Sequence, residues 1–164
     1  MHTLLLDTNI YGLALEKKEL ANILVLFTDE KQNPDKRYIV LGSEIIYNEI
    51  NANPHREARS RLNELYQIVI SGEIRLTDKI KSLSLEYFYE CKNNHIKITI
   101  EDCQIVASSC FANVEFIVTN NRKTMMSHKS IEVFTSINKK KGLRTPKFAR
   151  HEILKSFFFR HGVS

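Results

Sequence analysis

Leu4-Leu5-Leu6 is an apolar run that stops abruptly at Asp7-Thr8-Asn9. That is the pattern of a buried strand delivering polar groups to its carboxyl end. Ala14–Phe27 follows as a predicted helix, with Leu20, Ile23, Leu24 and Phe27 on one face. Asn33-Pro34-Asp35 is a turn signal. Tyr38–Leu41 reads as a second strand, and Gly42-Ser43 opens a helix through Ile50. Asn51–Pro54 breaks it, and Arg56–Ile70 restarts a helix with Leu62, Leu65, Tyr66 and Val69 as its apolar stripe. Ile74–Leu76 is a short third strand, and Asp78 caps a helix to about Cys91. Thr99 caps a helix through Ala112, Phe116–Val118 is strand four and Ile131–Phe134 strand five. Thr145-Pro146 marks a turn before a last helix, His151–Phe158.

Helices alternating with short apolar strands predict an α/β fold, three layers with a central parallel sheet of about five strands. At 164 residues the chain is expected to form one domain over 1–164. A composition 43% hydrophobic and 26% charged fits a globular chain rather than a disordered one. No apolar run reaches membrane-spanning length, and Asp7 interrupts the N-terminus before a signal-peptide core forms. A cytoplasmic protein without membrane association is the expectation. Cys91, Cys103 and Cys110 have neither disulfide nor zinc-site spacing and read as small core residues.

Charge is unevenly placed. Residues 1–121 hold 13 Lys and Arg against 17 Asp and Glu, while residues 122–164 hold 11 against 2. An acidic body with a basic tail, concentrated in the segment 139–164, suits a polyanionic partner, although a solvated surface has the same composition. Lys139-Lys140-Lys141 followed by Gly142 reads as a loop tip.

The chemistry lies in the acids. In open α/β sheets ligands bind outside the carboxyl ends of the strands. Asp7 follows strand one, Glu44 and Glu49 lie on the helix after strand two, Asp102 is in the first turn before strand four, and Thr119-Asn120-Asn121 follows strand four. Strands one and four are neighbours in a doubly wound sheet, so these groups are able to share one crevice. Clustered carboxylates repel unless a cation compensates, and Mg²⁺ or Mn²⁺ suits an oxygen-only donor set. Taken singly, each residue has a structural explanation: Asp102 as a helix-dipole acid, Asn120 and Asn121 as a turn. Glu44 and Glu49 fall on different helical faces, so only one of them is expected in the cluster.

The order Leu-Leu-Leu-Asp-Thr-Asn, then Asn48-Glu49-Ile50, then Ile100-Glu101-Asp102-Cys103-Gln104-Ile105-Val106-Ala107, then Ile117-Val118-Thr119-Asn120-Asn121, resembles the PIN domain. The resemblance spans roughly residues 3–138, and the tail from Gly142 to Phe148 resembles endings of some prokaryotic PIN proteins. PIN domains are metal-dependent ribonucleases and include the VapC-type toxins. The resemblance implies an RNA endonuclease with Asp7, Glu49 and Asp102 as metal ligands and Asn121 at the fourth catalytic position. Glu44 is the alternative helical acid. The fourth motif commonly carries an acid where Asn121 stands, which makes the number of metals an open question. Thr8 and Asn9 would orient ligands; Thr119, Asn120, Arg122 and Lys123 would meet substrate. RNA, a cognate antitoxin protein and a second copy of the chain are the implied partners. A PIN fold reduced to an RNA- or protein-binding module is the competing reading, favoured by Asn121. A haloacid-dehalogenase-like phosphatase would need a second acid where Asn9 stands, and a receiver-like domain would need an acid pair ahead of strand one.

Overall fold

A computed structural model describes residues 1–159. The element order is β1 (His2–Leu6), α1 (Thr8–Glu16), α2 (Lys18–Leu26), β2 (Tyr38–Ser43), α3 (Glu44–Asn51), α4 (Arg56–Val69), β3 (Gly72–Ile74), α5 (Asp78–Asn93), α6 (Ile100–Phe111), β4 (Phe116–Val118), α7 (His128–Lys140), β5 (Lys147–Ala149) and α8 (Glu152–Phe159). The five strands form one sheet in the order β3-β2-β1-β4-β5, and every pairing is parallel. The α/β fold class with about five parallel strands is therefore the observed one.

Strand order sets the site. From β1 the chain steps outward through β2 to β3, then returns to β4 on the other side of β1. Right-handed crossovers then put the connections on opposite faces of the sheet. Accordingly α1, α2 and α4 contact one another and α2 contacts α8, while α5 contacts α6 and α7. The reversal falls between β1 and β4, and a crevice opens there at the carboxyl ends. Leu4, Leu5 and Leu6 are fully buried at the centre of the core, with Val40, Ile117 and Val118 on the neighbouring strands. Under the other end, Tyr38 of β2 lies against Phe157 and Phe158 of α8, and Phe158 meets Phe27 edge-on.

Several sequence expectations are corrected. Ile131–Phe134 is not a strand but part of α7, capped by Ser127. Ile131 and Phe134 are three apart, a spacing shared by a helix face, and four residues are too few to separate the two periods. The fifth strand is Lys147–Ala149, whose lysine hides the apolar signal. The stretch Ala14–Phe27 is two helices, divided at Lys17, whose backbone is extended (φ −114°, ψ 101°). Strand three is Gly72–Ile74 rather than Ile74–Leu76. Thr77, not Asp78, caps α5, its side chain accepting from the Ile80 N–H. Lys139 and Lys140 form the last turn of α7 rather than a loop tip, where cations complement the helix dipole. Gly142, just beyond, has φ +67°, which glycine adopts without steric cost. The final helix begins at Glu152, one residue later than expected. Residues 160–164 of the basic segment lie outside the described residues.

Cys91, Cys103 and Cys110 are all buried with free thiols, as small core residues would be. Among the described residues, no helix is long and apolar enough to cross a membrane.

Candidate functional site

Asp7 stands at the junction of β1 and α1. Its backbone N–H donates to the Val118 carbonyl at 2.9 Å, which ties the end of β1 to the end of β4. Its side chain caps α1: Oδ1 accepts from the Thr8 N–H at 2.8 Å. Oδ2 accepts from the Thr119 hydroxyl at 2.8 Å and from Asn9 Nδ2 at 3.1 Å. Only 6% of the residue is exposed. Burial pushes its carboxyl above the ordinary value, the Thr119 and Thr8 bonds pull it back, and the negative charge of Asp102 raises it further.

Glu49 reaches this group from α3, which Ser43 caps by accepting from the Ile45 N–H at 3.2 Å. The Thr8 hydroxyl donates to Glu49 Oε2. Burial raises the Glu49 carboxyl, and Asp7, Asp102 and Glu101 add to it through their charge. Glu44 points elsewhere: its Oε2 accepts from the Leu76 N–H at 2.7 Å and fastens the end of β3. The two glutamates on one helix thus part company as their five-residue spacing requires.

Asp102 is held in the first turn of α6, where its N–H donates to the capping Thr99 hydroxyl at 3.1 Å. Its Oδ2 accepts from Asn121 Nδ2 at 3.4 Å and from the Thr124 hydroxyl at 3.3 Å. Burial raises this carboxyl too, hydrogen bonds from Thr124 and Thr99 lower it, and Glu101, itself exposed, raises it. Thr119 knots the cluster: fully buried, its hydroxyl donates to Asp7 and accepts from the Asn121 N–H at 3.0 Å. The Asn120 N–H donates to Asn9 Oδ1 at 3.3 Å. Arg122 and Lys123 are exposed on the turn that precedes α7.

The structure therefore brings Asp7, Glu49 and Asp102 into one hydrogen-bonded and electrostatically coupled group, with Thr8, Asn9, Thr119, Asn120 and Asn121 around it. Thr124 and His151 were not singled out from the sequence. His151, after β5, lies against Asn120: Asn120 Oδ1 accepts from the His151 N–H at 3.3 Å and is 3.2 Å from its Nδ1. No sequence spacing signals either contact, because both depend on the strand order.

Among the described residues, no Lys, Arg or His forms an ion pair with Asp7, Glu49 or Asp102. Among the described residues, too, no group of three or more His, Cys, Asp or Glu side chains is placed so as to hold a metal ion. The donor set is nonetheless one that a hard divalent cation fits. It is all oxygen, its acids are uncompensated, and Mg²⁺ retains several waters and binds through one or two carboxylates rather than a dedicated cage.

No protein-family model matches this sequence, and no curated protein does. Solved structures match in fold. VapBC2 from Rickettsia felis, bound to a DNA fragment from their promoter, aligns with a TM-score of 0.58 at 17% identity over 90% of this chain and 98% of that one. VapBC-1 from nontypeable Haemophilus influenzae aligns at 0.60 and 16% identity, over 92% and 98%. DNA-bound VapBC from Salmonella typhimurium aligns at 0.57 and 14%, over 92% and 99%. At such identities the likeness is one of fold alone, and the fold this chain shares with those VapBC structures is the PIN-like α/β fold.

Proposed function

We propose that this chain is a metal-dependent ribonuclease that hydrolyses RNA phosphodiester bonds, acting as the toxin of a toxin–antitoxin pair. The observation that carries this reading is the gathering at the switch point of the sheet of three carboxylates, Asp7 buried and Glu49 and Asp102 half-buried, with no cationic side chain paired to them among the described residues. An enzyme that left such charges unpaired would gain nothing in stability, so their placement is better explained by a ligand of opposite charge.

Asp7, Glu49 and Asp102 are the residues that would hold Mg²⁺ or Mn²⁺. Such an ion, when bound, neutralises charge on a phosphoryl group under attack and acidifies water. The chain's own residues do the positioning. Thr119 and Thr8 fix the Asp7 carboxylate by two hydrogen bonds, and Thr8 also bonds Glu49. Asn121 and Thr124 hold Asp102. Exposed Arg122 and Lys123 are suited to substrate phosphates. A cognate antitoxin and self-association belong to the same proposal; the VapBC likenesses support the first of these.

Incubation with structured RNA in Mg²⁺ or Mn²⁺, with and without chelator, tests it. Cleavage that requires metal and disappears in Asp7→Asn is the expected result; equal cleavage by Asp7→Asn rejects the site. One observation favours a second reading, a binding module of weakened activity. Asn121 donates a hydrogen bond to Asp102 where an acid would repel it, so the metal-free cluster loses part of its need for a cation. Tight RNA binding without cleavage in either protein would select that reading.

A further inference from the structure

A cavity of about 550 Å³ lies between α2 and α8. Its volume is within the usual range for a small-molecule-sized site. Leu20 and Ile23 give it an apolar wall, and His151 lines the side toward the carboxylates. His151 contacts the Asn120 side chain, the Asn120 backbone N–H donates to Asn9 Oδ1, and Asn9 Nδ2 donates to Asp7, so the cavity is joined to the carboxylate cluster through Asn120 and Asn9.

Its charge is not balanced. Two acids stand on the rim, and both are paired: Glu19 with Lys155 at 3.1 Å, Glu152 with Arg150 at 3.4 Å and His151 at 3.5 Å. Lys17 and Lys18, on the same rim and exposed, have no ion-pair partner among the described residues. Two unpaired ammonium groups beside an imidazole and an apolar wall match a nucleotide: phosphate for the lysines, a base for the imidazole face and the wall next to it. The position also fits. α1 is nine residues long, so Lys17 stands about 15 Å along its axis from Asp7, farther than the nucleotide at the bond cut extends.

We infer that the cavity between α2 and α8 receives a nucleotide of single-stranded RNA that flanks the scissile bond, its phosphate on Lys17 and Lys18 and its base against Leu20, Ile23 and His151. This inference rests on the ribonuclease reading for the bond that is cut, but its test reads binding and not cleavage.

The full chain is titrated in EDTA with a fluorescein-labelled single-stranded RNA decamer, over a range of salt concentrations. Lys17→Gln/Lys18→Gln is compared with the native protein and with Lys31→Gln/Lys36→Gln, which removes equal charge from the connection that leads into the amino end of β2. The expected result is a loss of about 5- to 10-fold in affinity for the first pair only, with the salt dependence flattened by roughly one unit of log–log slope. A decamer carrying 4-thiouridine should crosslink to peptides containing Leu20, Ile23 or His151. Equal losses in both pairs, no loss in either, or crosslinks confined elsewhere overturn the inference. So does a variant that loses only a protein partner while RNA affinity is unchanged. Cleavage in Mg²⁺ is scored separately: binding as described without any cleavage would sink the ribonuclease reading and leave the subsite, while cleavage without these binding effects would do the reverse.

Discussion

The Thr119 hydroxyl donates to Asp7 Oδ2 at 2.8 Å across 112 residues of sequence. Thr119 Oγ1 in turn accepts from the Asn121 N–H, so one buried hydroxyl joins the ends of the two central strands and both sides of the carboxylate cluster. Thr119→Val keeps the shape and removes the oxygen. It leaves the Asn121 N–H without its acceptor and Asp7 without its strongest side-chain donor, which should cost about 1–3 kcal/mol of stability. Urea unfolding measures the loss, and RNA cleavage should fall with it; Thr119→Ser should restore both.

Asp7, Glu49 and Asp102 all have carboxyls raised above their ordinary values of 3.8, 4.5 and 3.8, burial being the largest cause in each. The folded chain then binds more protons than the unfolded one as pH rises from about 4. Their contribution is therefore favourable below the unfolded values and is lost as pH climbs through the folded ones. In EDTA, unfolding midpoints of native protein relative to Asp7→Asn should fall between mildly acidic and neutral pH. Mg²⁺ at neutral pH should reverse the trend in the native protein alone.

Asn121→Asp places a carboxylate where an amide now donates to Asp102. Without metal the like charges should lower the melting temperature by several degrees, an amount set by about 1–2 kcal/mol for a 164-residue chain. Titrating Mn²⁺ into the variant should raise the melting temperature by more than in the native protein. Should native cleavage prove weak, the same variant should strengthen it; an unchanged metal response would remove Asn121 from the site.

Glu44 and Glu49 make a paired test on one helix. Glu49→Gln should abolish cleavage with little change in stability, because the Thr8 hydrogen bond survives on the amide oxygen. Glu44→Ala should leave the rate intact and cost about 1–2 kcal/mol by freeing the Leu76 N–H. Reversal of the two phenotypes would exchange their roles.

Gly42, ahead of α3, has no room for a side chain. A Cβ there would overlap Tyr66 Oη, which accepts from the Ser43 N–H at 3.0 Å and donates to Glu73 Oε2 at 2.7 Å. Gly42→Ala should destabilise the fold by about 1–3 kcal/mol and, by shifting α3, lower metal affinity. Calorimetry and Mn²⁺ titration would show both effects; a neutral variant would mean that Tyr66 moves aside freely.

Much of this architecture was legible in the residues. Leu4–Leu6 ending at Asp7 marks a buried strand with a polar edge because a fully buried run of that length has few other fates. Thr99 three residues before Asp102 marks a helix start because the orphan N–H groups there need an acceptor. What failed was local: Lys147–Ala149 is too short and too polar to announce a strand, and the apolar residues of Ile131–Phe134 fit either period. The separate duties of Glu44 and Glu49 follow from their spacing, but which of the two turns to Asp7 does not. That depends on the crossing of α3 over the sheet. The contacts Thr124–Asp102 and His151–Asn120 have no sequence signal at all, since they exist only once β4 lies beside β1 and β5 beside β4. Sequence by itself determined that Asp7 and Thr119 to Asn121 stand at the carboxyl edge, because the ends of β1 and β4 are set by nearest neighbours along the chain. Only the tertiary structure decided that they share one crevice, because strand order is a property of burial summed over the whole sheet.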